Sequence, residues 1–115
     1  MALEALEAEV KSIVRRAVQV LRDYAATQGW GQDDYRIYVY PNLDWNRLQL
    51  ILVARALPRK DYLANYNAVC DFIEERLKDD PWLKHAIGVV LRTFDQVEQG
   101  GLYAIPRSYL DADDL

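Results

Sequence analysis

Apolar residues recur at Leu3, Leu6, Val10, Ile13, Ala17, Val20 and Tyr24. Their alternating spacing of three and four predicts a long amphipathic helix over 3–24. Val14, Val18 and Leu21 broaden that stripe beyond a coiled-coil seam. Glu4, Glu7 and Glu9 come early, with Lys11, Arg15, Arg16 and Arg22 later, an order that suits the helix dipole. Gly29 supplies a stop. The pattern then changes. Tyr35 to Tyr40 is β-branched and aromatic and predicts a strand. Pro41 to Asn46 is rich in turn formers, and Arg47 to Leu57 predicts a second strand centred on Leu50–Val53. So short a connection makes the pair an antiparallel hairpin.

Pro58 breaks the second strand, and Asp61 is the N-cap of a second helix reaching about Lys78. Its apolar positions are Tyr62, Tyr66, Val69, Cys70, Ile73 and Leu77. Asp79-Asp80-Pro81 ends it, because the residue before proline avoids the helical region, and Trp82-Leu83 forms a short extra turn. Ala86 to Phe94 predicts a third strand, and Gly100-Gly101 a turn into a short fourth strand at Leu102–Ile105. The expected class is α+β in the order α-β-β-α-β-β, with helices packed on a small, twisted, mostly antiparallel sheet. The second helix crosses over the sheet in the right-handed sense, so strand three runs parallel to strand two. The simplest strand order sets strand three beside strand one, as 2-1-3-4. Residues 1–106 form a single domain, and 107–115 form a polar, acidic tail.

Length and composition narrow the function classes. A chain of 115 residues fits one domain, with enough core to fold without disulfide staples. Its 18 acidic and 14 basic residues leave a net charge of −4, the wrong field for nucleic acid or an anionic membrane. A single cysteine, Cys70, excludes an intramolecular disulfide. The acidic N-terminal residues do not suit a signal peptide, and no apolar stretch spans a bilayer. The expected setting is soluble and cytoplasmic.

Candidate chemistry is sparse. His85 is the one histidine, and Ser12, Ser108 and Cys70 stand in no nucleophile motif. Cys70 falls on the apolar stripe of the second helix, which predicts core packing. Glu74 and Glu75 point about 100° apart on a helix and form part of a solvated face. No phosphate-binding loop, HExxH or EF-hand pattern occurs, so no cofactor and no metal site is expected. A Ca²⁺ site from Asp33-Asp34, Asp79-Asp80 or the acidic tail ranks third among the functional readings.

The Tyr-rich strand carries the leading reading. Alternation sets Tyr35, Ile37 and Val39 on one face, and Arg36, Tyr38 and Tyr40 on the other. Two tyrosines beside an arginine have the composition of an interface hot spot. Strands two and three are also apolar on both faces, so both faces of the sheet need a cover. The cover is either the chain's own helices or a second subunit. The leading reading is thus a non-enzymatic interaction or accessory module, a homodimer, with Arg36, Tyr38, Tyr40 and Trp45 as partner-binding residues. The alternative is a ligand-binding or enzymatic domain with a pocket formed by Tyr62, Tyr66, His85 and Arg92. At the level of class alone, a small acidic chain with this element order resembles the type III secretion chaperones. That resemblance implies a dimer that binds extended segments of a partner. The chain departs from them in lacking their C-terminal helix.

Overall fold

The computed structural model describes residues 8–55 and 57–114. The start of the expected first helix, with Leu3, Glu4, Leu6 and Glu7, lies outside them, as do Ala56 and Leu115. The elements are α1 (Ala8–Thr27), β1 (Tyr35–Asn42), β2 (Arg47–Ala54), α2 (Tyr62–Arg76), α3 (Pro81–Ala86), β3 (Ile87–Thr93), α4 (Phe94–Gln99) and β4 (Leu110–Asp111). They make an α+β fold with one open, mixed, four-stranded sheet on which the helices pack.

Local chemistry sets the boundaries. α1 runs past Tyr24 to Thr27 and stops where Gly29 takes a φ of +74°, a conformation glycine adopts without strain. Asp61 and Asp80 cap α2 and α3, accepting from the Leu63 and Leu83 N–H groups at 3.1 and 3.2 Å. Asn65 is fully buried and holds the turn before α2 from within. Its amide accepts from Arg59 N–H and donates to the Arg59 and Asp61 carbonyls. β1 continues through Pro41 and Asn42, past the reach of β4, where a strand edge tolerates proline's missing N–H.

α1 and α2 both cover one face of the sheet. Val14, Ala17, Leu21, Val69 and Ile73 meet Ile37, Val39, Leu50, Leu52, Val89 and Leu91 there in a single core. β2 pairs antiparallel with β1, from Tyr35 opposite Ala54 to Asn42 opposite Arg47. It pairs parallel with β3, from Leu48 opposite Ile87 to Ala54 opposite Thr93.

Strand three is parallel to strand two, as the crossover requires, but lies directly beside it. The order is β3-β2-β1-β4, not 2-1-3-4. Consecutive elements usually neighbour one another. The free edge of β1 belongs instead to β4.

The fourth strand is a second correction. Gly100 and Gly101, at φ of +72° and +62°, turn the chain outward. Leu102 and Tyr103 fall in an exposed 3-10 turn rather than a strand. The strand forms at Leu110–Asp111, inside the expected tail, where Leu110 and Ala112 are buried. These two apolar side chains fix that segment to the core against its polar neighbours.

The same correction explains the second face. β3 and β4 occupy opposite edges of the sheet, so residues 94–109 must cross it. The register aligns Arg36 with Val53 and Arg92, Tyr38 with Ile51 and Val90, and Tyr40 with Gln49 and Gly88, all on the side away from α1 and α2. The crossing segment touches this side at both ends. The Arg92 guanidinium lies 5.1 Å from the Tyr103 ring centre, and the Tyr109 and Tyr40 rings are 5.6 Å apart. It acts as a strap that closes the second face from within the chain, leaving Val53 only 1% and Ile51 only 7% exposed.

Candidate functional site

The two expected residue sets have different environments. In the first set, Arg36 donates to the Asp111 carboxylate at 2.9 Å and lies 3.7 Å from Asp113. Tyr40 packs on Tyr109, and Tyr38 is half-buried. Burial, and after it the Asp111 carboxylate, push the Tyr38 phenol above its ordinary 10.0 against the opposing pull of Arg36. These three side chains are engaged within the chain. Trp45, in the hairpin turn, is 76% exposed.

The second set gathers along the outer edge of β3. That edge is terminal in the sheet, so its outward N–H and C=O groups have no strand to pair with. The chain supplies other partners. Ile87 N–H donates to the Leu83 carbonyl at the end of α3. Leu91 N–H donates to the Tyr62 hydroxyl at 3.5 Å, and Leu91 C=O accepts from the Arg92 guanidinium at 2.8 Å. Thr93 N–H donates to the Gln96 side chain at 2.9 Å, as part of a capping box that starts α4. Alternation along a strand points Val89 the same way as Ile87, Leu91 and Thr93. Among the described residues its N–H and C=O find no such cap, although Val89 is only 6% exposed.

Val89 lines a cleft of about 240 Å³ between α2 and β3, together with its neighbours Ile87 and Gly88. Tyr66, Cys70 and Glu74 line it from α2, and Lys84 and His85 from α3. Helical spacing sets Tyr66, Cys70 and Glu74 one turn apart on one face of α2. Tyr66 stacks on Tyr62, with ring centres 6.3 Å apart, so the aromatic surface continues from the cleft along the edge. Hydrogen bonding toward the Cys70 sulfur, more than burial, raises the Tyr66 phenol pKa above 10.0. Cys70 is half-buried, packs against the core as its apolar position predicts, and also lines the cleft.

Tyr66 and His85 thus share the cleft, whereas Tyr62 and Arg92 meet at Leu91 further along the edge. Sequence reasoning missed Val89, because a backbone group becomes special only when its neighbours on the edge are capped. It did not single out Lys84, and Glu74, exposed on the solvated face as expected, also lines the cleft. At the Leu91 end, Tyr62 reaches the Leu91 N–H and Tyr103 packs on Arg92, and their chain neighbours Leu63 and Leu102 are both exposed, Leu102 at 96%.

Among the described residues no group of three His, Cys, Asp or Glu side chains is placed to hold a metal ion. No helix there is long and apolar enough to cross a membrane. Compared with known families, characterised proteins and solved structures, the chain matches none of them.

Proposed function

We propose that this chain is a non-enzymatic interaction module that associates with a second copy of itself through the Leu91 end of the β3 edge. The observation that carries this reading is that Tyr62, Leu63, Leu102 and Tyr103 are all exposed, with the Tyr62 hydroxyl bonded to Leu91 and Tyr103 packed on the neighbouring Arg92. Tyrosine and arginine are the residue types that dominate interface energetics, and large apolar side chains grouped on a surface mark interaction sites. The backbone of this edge is already capped at Leu91 and Thr93. Association therefore proceeds by side-chain packing rather than by extending the sheet. The expected setting is a reducing compartment such as the cytoplasm, where the lone Cys70 stays a thiol.

Sedimentation velocity tests the reading. The wild-type protein should sediment as a dimer at about 100 µM, with a Kd in the micromolar range expected for an interface of ordinary size. The Leu63→Ser/Leu102→Ser variant should be monomeric with unchanged circular dichroism. A wild-type monomer at that concentration, or a double variant that still dimerises, would overturn the proposal.

A further inference from the structure

We infer that the cleft between α2 and β3 binds a free α-amino acid with an apolar side chain. Three observations converge on this chemistry. The first is the main-chain N–H and C=O of Val89, an adjacent donor and acceptor on the outward edge of β3, at a residue that lines the cleft and has no cap among the described residues. Buried backbone groups are nearly always paired, so a pair left open along a cleft suits a polar occupant. The second is charge of both signs on one small site, with Glu74 from α2 and Lys84 from α3. The described ion pairs include neither residue, whereas the adjacent Glu75 already pairs with Lys78 at 3.0 Å. The third is the apolar part of the lining, formed by Tyr66, Cys70 and Ile73.

A zwitterion satisfies all three. Its ammonium group donates to Val89 C=O and Glu74, its carboxylate accepts from Val89 N–H and Lys84, and its side chain covers the apolar wall. Charge-assisted hydrogen bonds of this kind are the strong ones. Size and surroundings argue for a free amino acid over a polypeptide. The cleft, at about 240 Å³, is smaller than the roughly 300–1,000 Å³ typical of drug-sized ligands. A chain running along the edge would next need Leu91 in one direction and Ile87 in the other. Tyr62 and Arg92 already cap Leu91, and Leu83 caps the Ile87 N–H.

The test is titration of the ¹⁵N-labelled protein with L-leucine and L-phenylalanine, and with N-acetyl-L-leucine and L-leucinamide, each of which lacks one charge. The Val89 amide should shift saturably with at least one of the two free amino acids. Affinity for L-leucine or its blocked forms should then fall about tenfold for each charge removed, the cost of losing a charge-assisted hydrogen bond. Lys84→Ala should weaken binding of the free amino acid and leave leucinamide unaffected. Glu74→Gln should weaken it and leave the N-acetyl form unaffected. Both positions are on helix surfaces, so the variants keep the fold.

Absence of a saturable shift at Val89 up to about 10 mM of any probe would overturn the inference, since binding weaker than that cannot fill a site at metabolite levels. Equal binding of the N-acetyl form would also overturn it, pointing to the carboxyl end of a polypeptide. The titration gives the same answer on the Leu63→Ser/Leu102→Ser variant, so its outcome is independent of self-association.

Discussion

The two faces of the sheet are equally well closed at their centres, but by different means. On the helix face, α1 and α2 set continuous apolar stripes against β1, β2 and β3, and Val14, Leu21, Leu50 and Leu52 have no exposed surface. On the strap face, residues 94–109 cover Val53 and Ile51 with one short helix, one 3-10 turn and a loop. The rest of that face is finished with polar tips, namely the Arg36 ion pairs, the Tyr40–Tyr109 contact and Arg92 on Tyr103. A two-turn helix adds little stability of its own, because helix formation is costly to nucleate. The strap is held by what it touches. A two-sided apolar sheet therefore does not by itself call for a second subunit, because sixteen residues of irregular chain can cover it.

Core truncations should separate the two faces most clearly. Leu52→Ala, on the helix face, removes a fully buried side chain between two long elements that cannot collapse into the space. It should cost ~3–5 kcal/mol in chemical denaturation, the upper part of the Leu→Ala range. Ile51→Ala, one residue away but under the strap, should cost about 2 kcal/mol, because the strap can settle into the vacancy. Equal costs would mean that the strap is as rigid as the helices.

The polar finish is worth less. Arg36→Ala removes the ion pairs to Asp111 and Asp113 at the point where β4 joins β1. Arg36 keeps about half of its side chain in solvent, so the loss should stay within about 1 kcal/mol. Amide exchange at Leu110 and Asp111 should nevertheless speed up, because only two residue pairs hold β4 to β1. Unchanged exchange there would show that Leu110 and Ala112 fix the segment without the ion pairs.

How much of this was legible follows from the range of the interactions involved. α1, α2, the hairpin and β3 are written in local periodicity and in caps such as Asp61, and they form close to where the pattern sets them. The strand order and the site of β4 depend on which edge a segment reaches. Leu110 carries that signal as one apolar residue in a polar stretch, too little to outweigh the β-rich Leu102–Ile105. Arg36, Tyr38 and Tyr40 do share a face, as alternation requires. Sequence alone could not tell that Asp111 and Tyr109 would return to meet them. The candidate site was half legible. Tyr66 and His85 stand out as residue types, whereas Val89 is distinguished only by an edge whose other outward N–H groups are capped.

The strap face also contains two phenols with raised pKa values, Tyr38 and Tyr109, and they give the smallest expected effect. Tyr38 is raised above 10.0 by burial first and Asp111 second, and Tyr109 is raised by burial first and Tyr40 second. A phenol whose folded-state pKa lies above its unfolded value stabilises the fold fully below pH 10. That contribution is lost as pH climbs through the folded value, because the unfolded chain then releases protons more readily. Melting temperature should therefore fall above pH 10. The Tyr38→Phe/Tyr109→Phe variant should show a shallower fall, with no change in slope near neutrality. Both rings are partly solvated, so the difference should be a few degrees or less. If the variant falls as steeply as the wild type, the strap face is not where alkaline unfolding begins, and the two faces open together.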